Sequence, residues 1–246
     1  MKANTVPASH GWLWIKQAFA LFKRSPLIWI VLSITILLLG ALMGMVPLIG
    51  SLIFQLIAPA FTAGLILGCE AQTRGEKLEI SHLFAGFKSH GPQLITVGGL
   101  YLTGMLIIAA IVSVSGGEPL IRAITAGHPN AQSIAAGNLA NIGILPILLG
   151  LSLLLPLLMA YWFAPALVVF GNMTPISAMK ISLLASLHNF APFLVYGLII
   201  FALFLLATIP VMLGFLVMIP LAFISYYTSF QDVFGSVESK TATVIV

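Results

Sequence analysis

Apolar residues run unbroken through most of this chain, and polar residues interrupt them at intervals that set the length of each element. Uncharged apolar runs occupy residues 26–46, 48–69, 93–114, 143–170, 192–211 and 213–230, with no Asp, Glu, Lys, Arg or His inside any of them. A helix needs about 20 apolar residues to cross the hydrocarbon of a bilayer. The pattern therefore predicts six membrane-spanning helices. Tight connections around Pro47–Ser51 and Pro210–Gly214 pair the first two runs and the last two as hairpins.

Between the runs the spacing changes to that of amphipathic helices. Trp12, Ile15, Phe19 and Phe22 fall on one face of a helix, with Lys16, Gln17, Lys23 and Arg24 on another. Ile80, Leu83, Phe84 and Phe87 repeat the i, i+3, i+4, i+7 pattern within Ile80–His90. A third stretch covers Ile176–Phe190 and opens on Thr174-Pro175, a capping hydroxyl followed by proline at the first helical position. Each stretch leads into a proline (Pro26, Pro92, Pro192) and then a hairpin. The expectation is an all-α polytopic membrane bundle, a single domain over 1–246. It divides into three repeats of interfacial helix plus hairpin, at about 10–70, 79–171 and 174–232. Residues 115–141 form an outer loop with one or two short helical turns, and 233–246 a flexible tail.

The returning helix of each hairpin carries a proline, at Pro59, Pro165 and Pro220. A proline inside a span frees a backbone carbonyl and bends the helix, so a neighbour or water must satisfy that group. These three are candidate kinks lining a central groove, although kinks also simply improve packing. Trp12, Trp14, Lys16, Lys23, Arg24, Lys88 and Lys180 are the candidate lipid contacts of the interfacial helices, where basic side chains snorkel to phosphates.

Composition agrees with a bilayer as solvent: 60% of residues are hydrophobic and 7% charged, too few charges to cover a water-facing surface. The net charge of +4 is distributed rather than clustered, which argues for membrane orientation and against nucleic acid as a partner. With the N-terminus inside, Lys2, Lys16, Lys23, Arg24, Arg74, Lys77, Lys88, Lys180 and Lys240 are cytoplasmic and only Arg122 is outside. Positive-inside asymmetry thus predicts both termini in the cytoplasm. No cleavable leader is expected, because Lys16, Lys23 and Arg24 interrupt the first 24 residues.

Chemistry is sparse. A single cysteine, Cys69, excludes an internal disulfide, and one aspartate, Asp232, leaves no Ser/His/Asp set in view. Cys69-Glu70, near Arg74, Glu76, Lys77 and Glu79, offers a small polar cluster as one alternative but reads first as solvated loop charge after the second span, and His82, His90 and His188 read as hydrogen-bonded interfacial histidines. Gln55, Thr62, Thr103, Ser152, Tyr161 and Tyr196 are polar groups within spans, suited to interhelical hydrogen bonds. No span carboxylate is available for ion-coupled transport. Met43, Met45, Met212 and Met218, with His128, are soft donors near the outer ends, which brings in copper handling as one alternative. No enzyme and no cofactor are expected.

Some strings are more specific. Gly11-Trp12-x-Trp14 through Phe22-Lys23-Arg24-Ser25-Pro26-Leu27, Gly68-Cys69, and Leu78-Glu79-Ile80-x-His82-Leu83-Phe84-x-Gly86-Phe87 are three of them. Leu157-Leu158-Met159-Ala160-x-Trp162-Phe163-Ala164-Pro165-Ala166-Leu167 and Asn189-x-x-Pro192-Phe193-Leu194-Val195-Tyr196-Gly197 are two more. In these the chain resembles an uncharacterised family of six-span proteobacterial inner-membrane proteins, over nearly all its length except the outer loop and the tail. The resemblance implies a multi-pass protein of the bacterial inner membrane and supplies no catalytic or binding residues. The reading is a non-catalytic accessory or organising component of a membrane assembly, in contact with lipid and with a protein partner or further copies of itself. The alternatives are a passive channel or carrier for a small neutral or lipidic solute, and copper handling.

Overall fold

The computed structural model describes residues 1–46, 49–125, 143–209 and 213–235. All regular structure among them is helical: α1 His10–Phe22, α2 Pro26–Gly44, α3 Ile49–Thr73, a 3₁₀ turn Ile80–Phe84, α4 Ala85–Val112, a π-turn Ser113–Gly117, α5 Glu118–Thr125, α6 Ile144–Trp162, α7 Ala164–Gly171, α8 Pro175–His188, α9 Phe190–Thr208 and α10 Phe215–Phe234. Five segments are long and apolar enough to cross a membrane: Pro26–Gly44, Ile49–Thr73, Ile80–Arg122, Ile144–Gly171 and Phe190–Thr208. The sixth expected run falls on α10, a 20-residue helix whose second half carries Ser225, Tyr226, Tyr227, Thr228, Ser229, Gln231 and Asp232. Those polar side chains take it out of the apolar class.

Several boundaries move. The predicted amphipathic helix Ile80–His90 is a 3₁₀ turn followed by the start of α4, with non-helical backbone at His90 just ahead of Gly91-Pro92. Pro92 disfavours helical geometry in the residues before it, which fits a bend at this point. The expected tail begins two residues too early, since Val233 and Phe234 complete α10; residues 236–246 lie outside the described residues. Of the segment expected as an outer loop, 118–125 is helical and 126–142 lies outside the described residues.

The chain forms two compact units, one of Met1–Gly98 with Ala160–Val246 and one of Gly99–Met159. In the second unit Gly104 faces Leu157, at a distance where a methyl group would strike that side chain. A groove of about 450 Å³ there is lined by Ala110, Ile111, Val114 and Ser115.

The first unit holds a continuous core. α10 lies against α1, α9, α3 and α2, and its buried face runs from Met218 through Phe234. Each of the three expected interfacial elements braces a hairpin helix. α1 packs on α10 and α9, the 3₁₀ turn packs on α3 and α2, and α8 packs on α7. Two glycines permit the closest approaches. A Cβ on Gly11 would lie 2.7 Å from the Tyr196 amide nitrogen and overlap the Pro192 carbonyl oxygen. One on Gly86 would lie 2.9 Å from the Ala63 Cβ and overlap the Ala60 carbonyl oxygen. Backbone meets backbone at both points, which small residues allow between helices in lipid.

Candidate functional site

Polar side chains of the first unit concentrate where α3 and α10 end, and the helices extend beyond the apolar runs to place them there. Glu70 sits one turn before the end of α3 and is only 6% exposed. The Tyr227 hydroxyl of α10 donates to its Oε2 at 2.5 Å, Gln231 Nε2 donates to the same oxygen at 3.3 Å, and Arg74 pairs with Oε1 at 2.9 Å. Gln231 also bonds the Tyr227 oxygen, and Thr73 Oγ1 lies 3.1 Å from it. Both carboxylate oxygens are engaged, as a buried charge requires. The arrangement is a cross-brace between α3 and α10, corrected here from the expected solvated loop charge. Arg74, Glu76, Lys77 and Glu79 are exposed as expected. Replacing Tyr227 with phenylalanine leaves Glu70 short of a donor; a loss of about 1–3 kcal/mol is expected, read as a lower melting temperature in detergent.

A second carboxylate closes the neighbouring seam. Asp232 Oδ2 accepts the Trp14 indole N–H at 2.7 Å and lies 2.7 Å from His10 Nδ1, so both ends of one turn of α1 are tied to the last turn of α10. Thr228 Oγ1 donates to the Trp14 carbonyl at 2.9 Å. Asn189, fully buried between α8 and α9, holds the segment before α1: its Oδ1 accepts the Val6 amide at 2.9 Å and its Nδ2 donates to the Asn4 carbonyl at 3.0 Å. The Asn4 amide donates to the Val233 carbonyl at 2.8 Å.

Gln72 is the third polar group at this end. Its Oε1 accepts the Trp29 indole N–H at 3.2 Å, its backbone carbonyl accepts Arg24 Nη1 at 3.1 Å, and its Nε2 has no partner. Below this layer the interior is aromatic: Trp14, Trp162, Phe163, Phe193, Tyr196, Tyr226, Phe230 and Phe234 form one chain of tilted and edge-on ring contacts. The Tyr196 hydroxyl lies 2.7 Å from Ser225 Oγ.

Of the residues expected to contact lipid, Trp12, Lys16, Lys23, Arg24, Lys88 and Lys180 are exposed. Trp14 is not: it is fully buried. The buried face of α1 is Gly11, Trp14, Ile15, Ala18, Leu21 and Phe22, rotated from the expected one, so that Trp12 and Phe19 face outward. The helix is docked on α10 and α9 by this face, and packing rather than the bilayer selects it. Pro59, Pro165 and Pro220 are all buried within the first unit. At Pro165 the helix breaks, and the Phe163 amide donates instead to Ser182 Oγ of α8 at 2.8 Å. His90 bonds Asn172 at 2.8 Å and His188 the Leu184 carbonyl at 2.7 Å. Met45 is exposed and Met218 buried, while Met212 and His128 lie outside the described residues. Among the described residues, no three His, Cys, Asp or Glu side chains gather as metal ligands.

Gln72, His10 and Asn189 carry no signal in the apolar pattern, and Glu70 and Asp232 read first as boundary charge when a span is closed at its last apolar residue. The available signal was helix-compatible sequence running on past Cys69 and Phe230, with no Gly or Pro for several residues.

No family model and no solved structure matches the chain. Among curated proteins it is similar to a probable inner membrane protein of Burkholderia thailandensis, at 31% identity over 260 aligned residues that cover 97% of this chain and 96% of the relative. With helices fit to span a membrane and this end-to-end match, the chain belongs to that family of proteobacterial multi-pass inner-membrane proteins, whose biochemical role is unassigned.

Proposed function

We propose that the protein acts by association, as a non-catalytic accessory or organising component of an inner-membrane assembly. One observation carries the reading. The buried carboxylate of the first unit, Glu70, has both oxygens engaged in a cross-brace, while the outward faces of α2 and α9 present Leu27, Val31, Leu38, Leu42, Leu194, Leu198, Phe201 and Leu205. A transported cation finds no open oxygen at Glu70. The working surface on this reading is the apolar exterior, which meets lipid and a partner protein or another copy. Extraction in mild detergent tests it: the expected result is a complex or oligomer larger than one chain. A lone monomer, with nothing retained after crosslinking in native membranes, overturns it.

The same reading takes α10 as a sixth span. A helix surrounded by four others needs little apolar character on its buried face, so Ser225, Thr228 and Ser229 are compatible with a transmembrane position. The bracing of each hairpin by the interfacial element that follows it, closed by α1 on the last hairpin, supports a threefold repeat. On this reading six spans put both termini on one side of the membrane, and the bias of Lys and Arg selects the cytoplasm as that side. Cysteine introduced at Arg74 or Lys180 is expected to resist impermeant maleimide added outside the cell, against a silent background because Cys69 is buried. Labelling from outside at either position rejects the orientation.

A further inference from the structure

We infer that the junction between α1 and α2 is a binding site for a phosphate oxyanion, carried by an anionic phospholipid headgroup or met as the free ion. This deepens the lipid-contact reading of Lys23 and Arg24, and does not depend on the accessory role.

α2 is a 19-residue helix whose N-terminus is open. Its N-cap, Ser25, makes no side-chain capping bond, and Pro26 occupies the first helical position. Trp29 N–H is the first to find a helical acceptor, at the Ser25 carbonyl, so the amides of Leu27 and Ile28 point out of the helix end. Such an end attracts anions through its free N–H groups and dipole. Immediately before it stand Lys23 and Arg24, both exposed and neither ion-paired among the described residues. The nearest carboxylate in sequence on the facing helix, Glu70, is already neutralised by Arg74. Lys23 lies over the Phe19 ring, 5.2 Å from its centroid, and Arg24 on the Gln72 carbonyl, so the junction keeps two positive charges that no carboxylate among the described residues offsets.

Gln72 supplies the independent observation. It is 4% exposed, its carboxamide oxygen is bonded to the indole of Trp29, a residue of the first turn of α2, and Arg24 grips its backbone carbonyl. The two residues that flank the helix start thus clamp the same glutamine. The amide Nε2 is left with two hydrogens and no acceptor, a costly state for a buried donor. A phosphate seated at the α2 end, with the Arg24 guanidinium swung onto it, offers that acceptor. It adds charge-assisted bonds to Arg24 and Lys23 and accepts from the free amides and the Ser25 hydroxyl.

The test uses the full-length protein, delipidated in a neutral detergent. Its melting temperature is followed on addition of phosphatidylglycerol, phosphatidylcholine or inorganic phosphate. Phosphatidylglycerol is expected to stabilise it more than phosphatidylcholine, with an apparent affinity about tenfold weaker in Arg24→Gln and in Lys23→Gln. Lys180→Gln, an exposed basic residue elsewhere, is expected to leave the affinity unchanged. Both junction substitutions alter exposed side chains, so folding is retained. Gln72→Glu keeps the acceptor for the Trp29 indole while removing the unpaired donor and adding a negative charge, and is expected to lower the affinity for phosphatidylglycerol at least as much as Arg24→Gln does. If inorganic phosphate alone gives the shift, with the same dependence on Lys23 and Arg24, the site stands and its ligand is the free ion. Equal responses to the two lipids, or an equal loss in Lys180→Gln, overturn the inference.

Discussion

Trp14→Ala lowers stability by about 3–5 kcal/mol, and the purified protein loses its cooperative melting transition well below the wild-type temperature. Three losses add at this position. The indole is fully buried and touches Phe193 and Tyr196 at ring-centroid distances of 5.2 and 5.9 Å, so truncation opens a void between α1 and α9. Its N–H bond to Asp232 disappears, which leaves that carboxylate with His10 alone. α1 then holds to α10 through fewer contacts at the seam that joins the two ends of the chain. Trp14→Phe separates the terms: the ring is retained, and a loss of about 1–2 kcal/mol isolates the hydrogen bond. If the alanine variant melts like the wild type, α1 is not docked as described.

Gly86→Val is the second large effect. A β-carbon there overlaps the Ala60 carbonyl oxygen and presses on the Ala63 methyl, so the start of α4 is forced off α3. The clash is with a backbone carbonyl and an alanine β-carbon, neither of which a rotamer can move, which puts the cost at about 3 kcal/mol or more. Gly197→Ala is the control. Nothing lies within 4 Å of a β-carbon there, and mid-helix alanine is expected to add up to about 1 kcal/mol. Thermal melts of the three proteins in one detergent check the pair; a Gly86→Val protein as stable as Gly197→Ala refutes the close packing of the 3₁₀ turn and α4 on α3.

Long uncharged runs made α2, α3, α6 and α9 readable from sequence, since nothing but a bilayer accommodates them and their ends are marked by Gly, Pro or charge. α10 shows where that reasoning thins. Its run was found, but a helix surrounded by protein is free to carry hydroxyls and a carboxylate, and hydropathy then understates it. The polar layer was only partly legible, as the lesser alternative of a small cluster at Glu70, for the complementary reason. Glu70 and Asp232 lie 162 positions apart in sequence order and look like ordinary boundary charges until their helices are seen to extend to Thr73 and Phe234. Trp14 was misplaced because α1 is apolar on more than one side. Trp12, Phe19, Ile15 and Phe22 fit a helical stripe, and only the neighbours α9 and α10 decide which aromatic turns in.

The bond from Asn4 to Val233 has a consequence for biogenesis. α1 finds its permanent seat only when α10 has been made, more than 200 residues later. Until then its apolar side must rest on the membrane surface or on an insertion factor, and the final closure is slow because it joins the most distant parts of the polypeptide. Joining the present ends through a short linker and opening the chain at residue 173 or so would let that seat form early, and such a permuted protein should mature faster than the natural one.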